Sequence, residues 1–99
     1  MTTKPERTFY VYILAGKSGV LYTGMTSNLS RRVWQHRQRK PPGFAQKYNV
    51  TKLVWFESHS AAIGAIAREK QIKAWRRSKR VDLIQAKNPA CLDLSISLQ

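Results

Sequence analysis

The run Phe9-Tyr10-Val11-Tyr12-Ile13-Leu14, then the turn residues Gly16-Lys17-Ser18-Gly19, then Val20-Leu21-Tyr22-Thr23, decides how this chain folds. Aromatic and β-branched residues dominate both flanks, and the first run is too apolar to leave either face in water. Two such runs around a glycine-rich turn predict a β-hairpin. An odd, three-residue loop is expected to set Tyr12 opposite Tyr22. Gly24 is expected to end the second strand, with a bulge or a close backbone approach there. Outward from the hairpin, Asn28 is a natural cap for a helix from Leu29 to about Arg39, stopped by Pro41-Pro42-Gly43. Leu29, Val33 and His36 share one stripe of it. A third strand is expected over Lys52–Glu57. Ser60 is the expected cap of a helix from Ala61 to about Trp75 or Arg76, and a shorter helix runs from Lys79 to Ala86, before Asn88-Pro89. The order β-β-α-β-α-α around three strands predicts an α+β fold, a three-stranded antiparallel sheet flanked by helices. We expect one domain over residues 8–88, an N-terminal arm over 1–7 and a C-terminal tail over 89–99.

Composition narrows the function. The 99 residues carry 18 Lys and Arg against 5 Asp and Glu, a formal charge of +13. Self-repulsion of that size weakens the compact state, so a polyanionic partner is the simpler explanation. Such a partner would bind with strong salt dependence. Two segments hold most of the charge: Arg31, Arg32, Arg37, Arg39 and Lys40, and then Arg68, Lys70, Lys73, Arg76, Arg77, Lys79 and Arg80. Two basic helical faces of this kind suggest a groove for a nucleic-acid strand. No apolar run reaches the length of a membrane span, and the polar N-terminus does not read as a signal peptide. The expected location is the cytoplasm, with no membrane partner. A lone cysteine, Cys91, excludes an internal disulfide and a multi-cysteine zinc site, and is expected to be a small buried residue.

Few residues are suited to chemistry. At helical spacing Glu69 lies between Ile66 and Ile72, an acid on an apolar stripe. A buried carboxylate needs compensation, from a bound divalent cation or from an ion pair with a nearby arginine. Tyr12 and Tyr22, on the two arms of the hairpin, are either a packing pair or hydroxyls available as acid, base or phosphate ligand; nearby cations would lower a phenol's pKa. Arg32 and His36, four residues apart, project from one helical face, and Arg32 suits bidentate contact with phosphate. Trp34, Trp55 and Trp75 are either core residues or platforms for unpaired bases.

In this order the residues form a known pattern. Tyr10-Val11-Tyr12 with Tyr22-Thr23-Gly24 resembles the paired motifs that name the GIY-YIG endonuclease superfamily. Asn28 to His36 looks like that family's helix with its arginine and, four residues on, a histidine or tyrosine. Ala67-Arg68-Glu69-Lys70-Gln71-Ile72-Lys73 with Trp75-Arg76-Arg77 looks like the helix bearing its metal-binding glutamate. Leu21-Tyr22-Thr23-Gly24, Lys47-Tyr48-Asn49-Val50 and Asn88-Pro89 are similar to the small stand-alone bacterial members. The chain departs from the pattern at Tyr10, where the family has Gly, at Thr23, where it has Ile, and at Met25, where some relatives carry Lys.

The resemblance implies Mg²⁺-dependent (or Mn²⁺-dependent) hydrolysis of phosphodiester bonds. It implies Tyr22 as general base or water-orienting hydroxyl with Tyr12 beside it, Arg32 on the transition-state charge, His36 in proton transfer or on phosphate, and Glu69 as the protein's carboxylate on the metal. Arg31, Arg37, Arg39, Lys40, Lys73, Arg76 and Arg77 are the expected nucleic-acid contacts. The expected activity is an endonuclease on DNA, with RNA as the second candidate. It would be selective for structure or strand and not for sequence, and would act in repair or recombination, alone or in a larger complex. The alternative is a non-catalytic basic module on the same fold.

Overall fold

The computed structural model describes residues 7–16, 19–38 and 50–98. Three strands, β1 (Phe9–Gly16), β2 (Leu21–Thr26) and β3 (Val50–His59), form an antiparallel sheet in the order β2-β1-β3. Helix α1 (Leu29–Gln38) joins β2 to the segment preceding β3. Helices α2 (Ala62–Lys73) and α3 (Arg77–Lys87) follow β3, and a 3-10 turn spans Leu94–Leu98. The expected α+β class and element order are those observed. No helix among the described residues is long and apolar enough to cross a membrane.

Side-chain alternation along β1 divides the interior in two. Val11 and Ile13 pack with Ala65 and Ile72 of α2 and Ile84 of α3 on one face. Tyr12 and Leu14 pack with Leu29 and Val33 of α1 on the other. The central strand is thus buried on both sides, which explains its uniformly apolar sequence. The two basic helical segments therefore lie on opposite faces of the sheet. Among the described residues, a nucleic-acid strand touching both would have to cross an edge of the sheet.

A β-bulge in β3 shapes one edge. Ile13 pairs with Trp55 and Leu14 with Leu53, so Val54 is an extra residue, and Val54 and Trp55 both turn to the α2 side. The Val54 carbonyl is met from outside by the Asn88 amide, 3.0 Å away. Asn88 also bridges to the backbone of Leu92, donating to its carbonyl (2.9 Å) and accepting from its N–H (2.9 Å). Beyond it, Asp93 accepts from the Leu53 N–H at 3.3 Å and from Ser95, and pairs with Arg37 on α1. Asn88 and residues 89–95, the latter within the expected tail of 89–99, thus run along the β3 edge and hold it to α1.

Other local expectations change. The hairpin register pairs Tyr12 with Gly24 and Leu14 with Tyr22, so the tyrosines are diagonal neighbours and not opposites. Gly24 lies inside β2, not at its end. Asn28 caps α1 as expected, its side-chain oxygen accepting from the Arg31 N–H at 3.2 Å. Ser60 does not cap α2; Ala61 occupies that position, with no side-chain hydrogen bond. Cys91 is exposed, at a positive φ of 53°, because the chain reverses there to reach the β3 edge.

Candidate active site

Four of the five residues singled out for chemistry meet on the α1 face. Tyr12 comes from the middle of the central strand and is fully buried. Its ring centroid lies 6.2 Å from that of Tyr22 and 6.2 Å from that of His36, and Tyr22 and His36 are 5.2 Å apart. Leu29 and Val33 anchor α1 on the sheet, and Arg32 and His36 flank that anchor. Arg32 Nε donates to the Tyr12 hydroxyl oxygen at 3.3 Å, and its Nη1 donates to Gln35 Oε1 at 3.4 Å. Gln35, three residues on from Arg32, was not anticipated; its helical spacing was the available signal.

Gly24 makes the arrangement possible. A Cβ at that position would stand 2.5 Å from the Tyr12 hydroxyl oxygen, 2.7 Å from its Cζ and 3.1 Å from Tyr22 Cε2. The close approach expected of this glycine is real, and the neighbour is the Tyr12 phenol.

The electrostatics separate the roles. Burial pushes the Tyr12 phenol up to about 12; the hydrogen bond from Arg32 opposes the shift and Tyr22 adds to it. Tyr12 is therefore a neutral phenol at neutral pH, and the cations nearby do not make it a phenolate. The same hydrogen bond raises the pKa of Arg32, whose charge is fixed. Burial first, then the Arg32 charge, lower the pKa of His36, so its ring is neutral at neutral pH. His36 Nδ1 is buried and has no hydrogen-bond partner among the described residues. A neutral ring with an unmet nitrogen can accept or relay a proton from a group entering the site.

Glu69 comes from α2, the helix whose Ala65 and Ile72 pack on the Val11 and Ile13 face of the sheet. Ile66 beside it is exposed, so the acid lies at the rim of the apolar stripe, with its side chain 20% exposed. It pairs with Lys73 at 3.0 Å. Among the described residues no three His, Cys, Asp or Glu side chains converge as a metal cage. The donor chemistry suits one class of ion: a hard cation that takes a single carboxylate oxygen and completes its shell with phosphate and water, as Mg²⁺ does.

The expected nucleic-acid contacts divide. Arg31 is exposed on α1 and Arg76 is exposed before α3. Arg37 is bound to Asp93 and Ser95, Lys73 to Glu69, and Arg77 donates to the Gly19 carbonyl. Arg39 and Lys40 lie outside the described residues. Trp55 is buried, and Trp75 is half-buried with Lys79 Nζ 4.4 Å and Arg68 Cζ 5.4 Å from its ring centre. Trp34, 58% exposed on α1, is the open indole of the three. A polar group that sequence reasoning missed joins His59, Glu57 and Arg68: the carboxylate binds His59 Nε2 at 2.7 Å and Arg68 Nε at 3.0 Å.

The chain has known relatives. A family model described as the GIY-YIG catalytic domain matches residues 8–82. The UPF0213 protein of Clostridium perfringens is 37% identical over 79 residues, covering 80% of this chain and 85% of that protein. One from Haloquadratum walsbyi is 33% identical over 76 residues, covering 77% and 85%. The solution NMR structure of a UPF0213 protein from Bacillus halodurans superposes with a TM-score of 0.55 at 30% identity, over 82% of this chain and 86% of that one. With three quarters of its length matched, and the two tyrosines, arginine and histidine gathered in one site, this chain belongs to the GIY-YIG domain family, alongside the small UPF0213 proteins.

Proposed function

We propose that this chain is a metal-dependent endonuclease that hydrolyses phosphodiester bonds in DNA. The observation that carries the reading is the joining of Arg32 to Tyr12 at 3.3 Å, with Tyr22 and His36 alongside. A fixed cation next to hydroxyl groups and a neutral imidazole suits phosphoryl transfer, where catalysis is mainly positioning and charge stabilisation. Tyr22 orients the attacking water, and His36 accepts or relays its proton. Arg32 offsets the charge that builds on the phosphoryl oxygens. Tyr12 holds Arg32 in place as a neutral acceptor. Glu69 would hold Mg²⁺ or Mn²⁺, which when bound polarises a phosphoryl oxygen and stabilises the leaving oxygen. Water supplies the new P–O bond, so the products are a phosphate monoester and a hydroxyl end.

A fold of this size offers backbone contacts, and these give affinity without reading bases, so selectivity for strand or branch structure follows. DNA repair or recombination in the cytoplasm is the corresponding setting, with a larger repair complex supplying targeting.

The Glu69–Lys73 pair favours one competing reading, a basic DNA- or RNA-binding module without catalysis. The deciding experiment incubates wild type, Tyr22→Phe, Arg32→Ala and Glu69→Ala with labelled single-stranded, duplex, flapped and branched DNA and with RNA. Each is run with Mg²⁺, Mn²⁺ or chelator, and binding is followed separately. The nuclease reading requires metal-dependent cleavage that all three substitutions remove while binding stays. Binding without cleavage, or cleavage indifferent to Glu69, establishes the module instead.

A further inference from the structure

A cavity of about 500 Å³ opens between the end of the hairpin and α3, on the face away from the tyrosines. Its floor is apolar, made by Ala15 and Leu21 of the hairpin and Val81 and Ile84 of α3. That volume lies within the range of small-molecule sites, which join an apolar lining to a few polar groups. Two cations stand at its rim. Lys52 Nζ donates to the Cys91 carbonyl at 3.2 Å, and Arg77 donates to the Gly19 carbonyl. Neither is ion-paired among the described residues, and both retain donors beyond these bonds. The Gln85 amide also borders the space, offering a donor and an acceptor.

We infer that this cavity is a nucleotide subsite: an unstacked base lies on the apolar floor, and its phosphate sits between Lys52 and Arg77. A metal ion would meet two positive charges there, and a neutral apolar ligand would leave both unmatched. A flat ring carrying a phosphate satisfies floor and rim together. The inference rests on the nucleic-acid reading above and deepens it. Leu21 and Tyr22 are consecutive on β2, so their side chains point to opposite faces. Since β2 is an edge strand, a nucleic-acid strand passing over it reaches the tyrosine site and the cavity within one or two nucleotides. The substrate class is then DNA with an unpaired nucleotide next to the cleaved bond.

The chain's single cysteine provides the test. Cys91 is exposed and borders the cavity, so the rate at which its thiol reacts with an aromatic disulfide reagent reports occupancy. The probes are dAMP, a short single-stranded oligodeoxynucleotide, and an abasic deoxyribose-phosphate oligomer of the same length. A probe at ten times its Kd should slow the reaction about tenfold. Protection by dAMP, by the oligonucleotide or by both, and not by the abasic oligomer, supports the subsite; which of the two protects tells a free nucleotide from a strand end. Lys52→Gln and Arg77→Gln should each weaken protection, and Val81→Trp, which fills the cavity, should remove it. If Val81→Trp does not fold, the two rim variants decide. Equal protection by the abasic oligomer, no protection by any probe, or protection unchanged in both rim variants overturns the proposal. Cleavage of the same oligonucleotide is scored separately. Cleavage without Cys91 protection rejects the subsite and leaves the nuclease standing, and protection without cleavage does the reverse.

Discussion

The Tyr12 phenol occupies the space where a side chain on Gly24 would be: a Cβ there would stand 2.5 Å from the phenol oxygen and 2.7 Å from the carbon bearing it. Tyr12 is fully buried in the central strand, so its ring has little room to yield. Gly24→Ala must therefore move the ring or the strand, and either breaks the bond from Arg32. Overpacking of this kind costs about 1–3 kcal/mol. In a domain of this size each kcal/mol lowers Tm by about 4–8 °C. We expect Gly24→Ala to melt well below wild type and to lose cleavage. Paired thermal melts and cleavage assays check this, and an unchanged Tm contradicts it.

Two groups in the site give opposite pH signatures. The folded pKa of His36 is below its ordinary value, so its contribution to stability is present above about pH 6.5. It is lost as pH falls through the lower folded pKa, because the unfolded chain takes up the proton first. Tyr12 is the reverse. Its folded pKa is about 12 against an ordinary 10, so its contribution is full below pH 10 and is lost as pH rises from 10 to about 12. Cleavage should rise with pH as His36 deprotonates, at a midpoint below 6.5, with no inflection from Tyr12 below pH 10. An NMR titration of the His36 ring checks the midpoint directly, and a value at or above 6.5 is incompatible with its buried setting.

Arg32 holds a fixed charge and a directed bond at once, and the two can be separated. Arg32→Lys keeps the charge but cannot keep both the Tyr12 and Gln35 contacts, which come from Nε and Nη1 of one planar group. Arg32→Ala removes charge and bonds together. Loss of one preorganised stabilising group costs about 10²–10³ in kcat. We expect Arg32→Ala to reach that range and Arg32→Lys to recover only a small part of it, with DNA affinity little changed in either. Single-turnover cleavage beside equilibrium binding makes the distinction. Full activity in Arg32→Lys shows that charge alone suffices.

What the sequence disclosed and what it hid follow from the range of the interactions. The helices were legible from the period of their apolar residues, and the first strand from an aromatic and β-branched run bounded by turn residues. That is how Tyr12, Leu29 and Val33 could be placed before any contact was known. The offset of Tyr22 from Tyr12 was not legible, because a register shift of two residues keeps every side chain on its own face and so leaves the apolar pattern unchanged. The bulge at Val54 also leaves no periodic trace, since it inserts one residue into an apolar run already buried on both faces. The roles of Arg37 and Cys91 depend on where residues 88–95 dock. That docking rests on two polar side chains, Asn88 and Asp93, which look like ordinary surface residues until their partners are known. Within the site, the i, i+4 spacing of Arg32 and His36 was readable, whereas Glu69 and Lys73, at the same spacing, proved to be each other's partners.

Asn88 is the member of that docking whose loss should be felt most. It is buried, and its amide makes three bonds at 2.9–3.0 Å, to the carbonyl of the bulged Val54 and to both backbone groups of Leu92. Asn88→Ala leaves the Val54 carbonyl without its cap at the sheet edge and frees the chain leading to Asp93. A buried polar group stripped of its partner costs about 1–3 kcal/mol. Asp93 would then hold Arg37 and the Leu53 N–H from a looser segment. Its carboxyl lies below the usual range because hydrogen bonds from Ser95 and Leu53 and the Arg37 charge outweigh its burial. Stability from Asp93 is therefore present above its ordinary pKa and is lost as pH falls through the lower folded value. We expect Asn88→Ala to lower the unfolding midpoint in denaturant by an amount corresponding to about 1–3 kcal/mol at neutral pH. The acid-induced loss expected of wild type should also become shallower, because the Asp93 contacts are already weakened. Denaturant titrations of both proteins across the acid range test both parts. An identical acid slope means that Asp93 keeps its partners without the Asn88 latch.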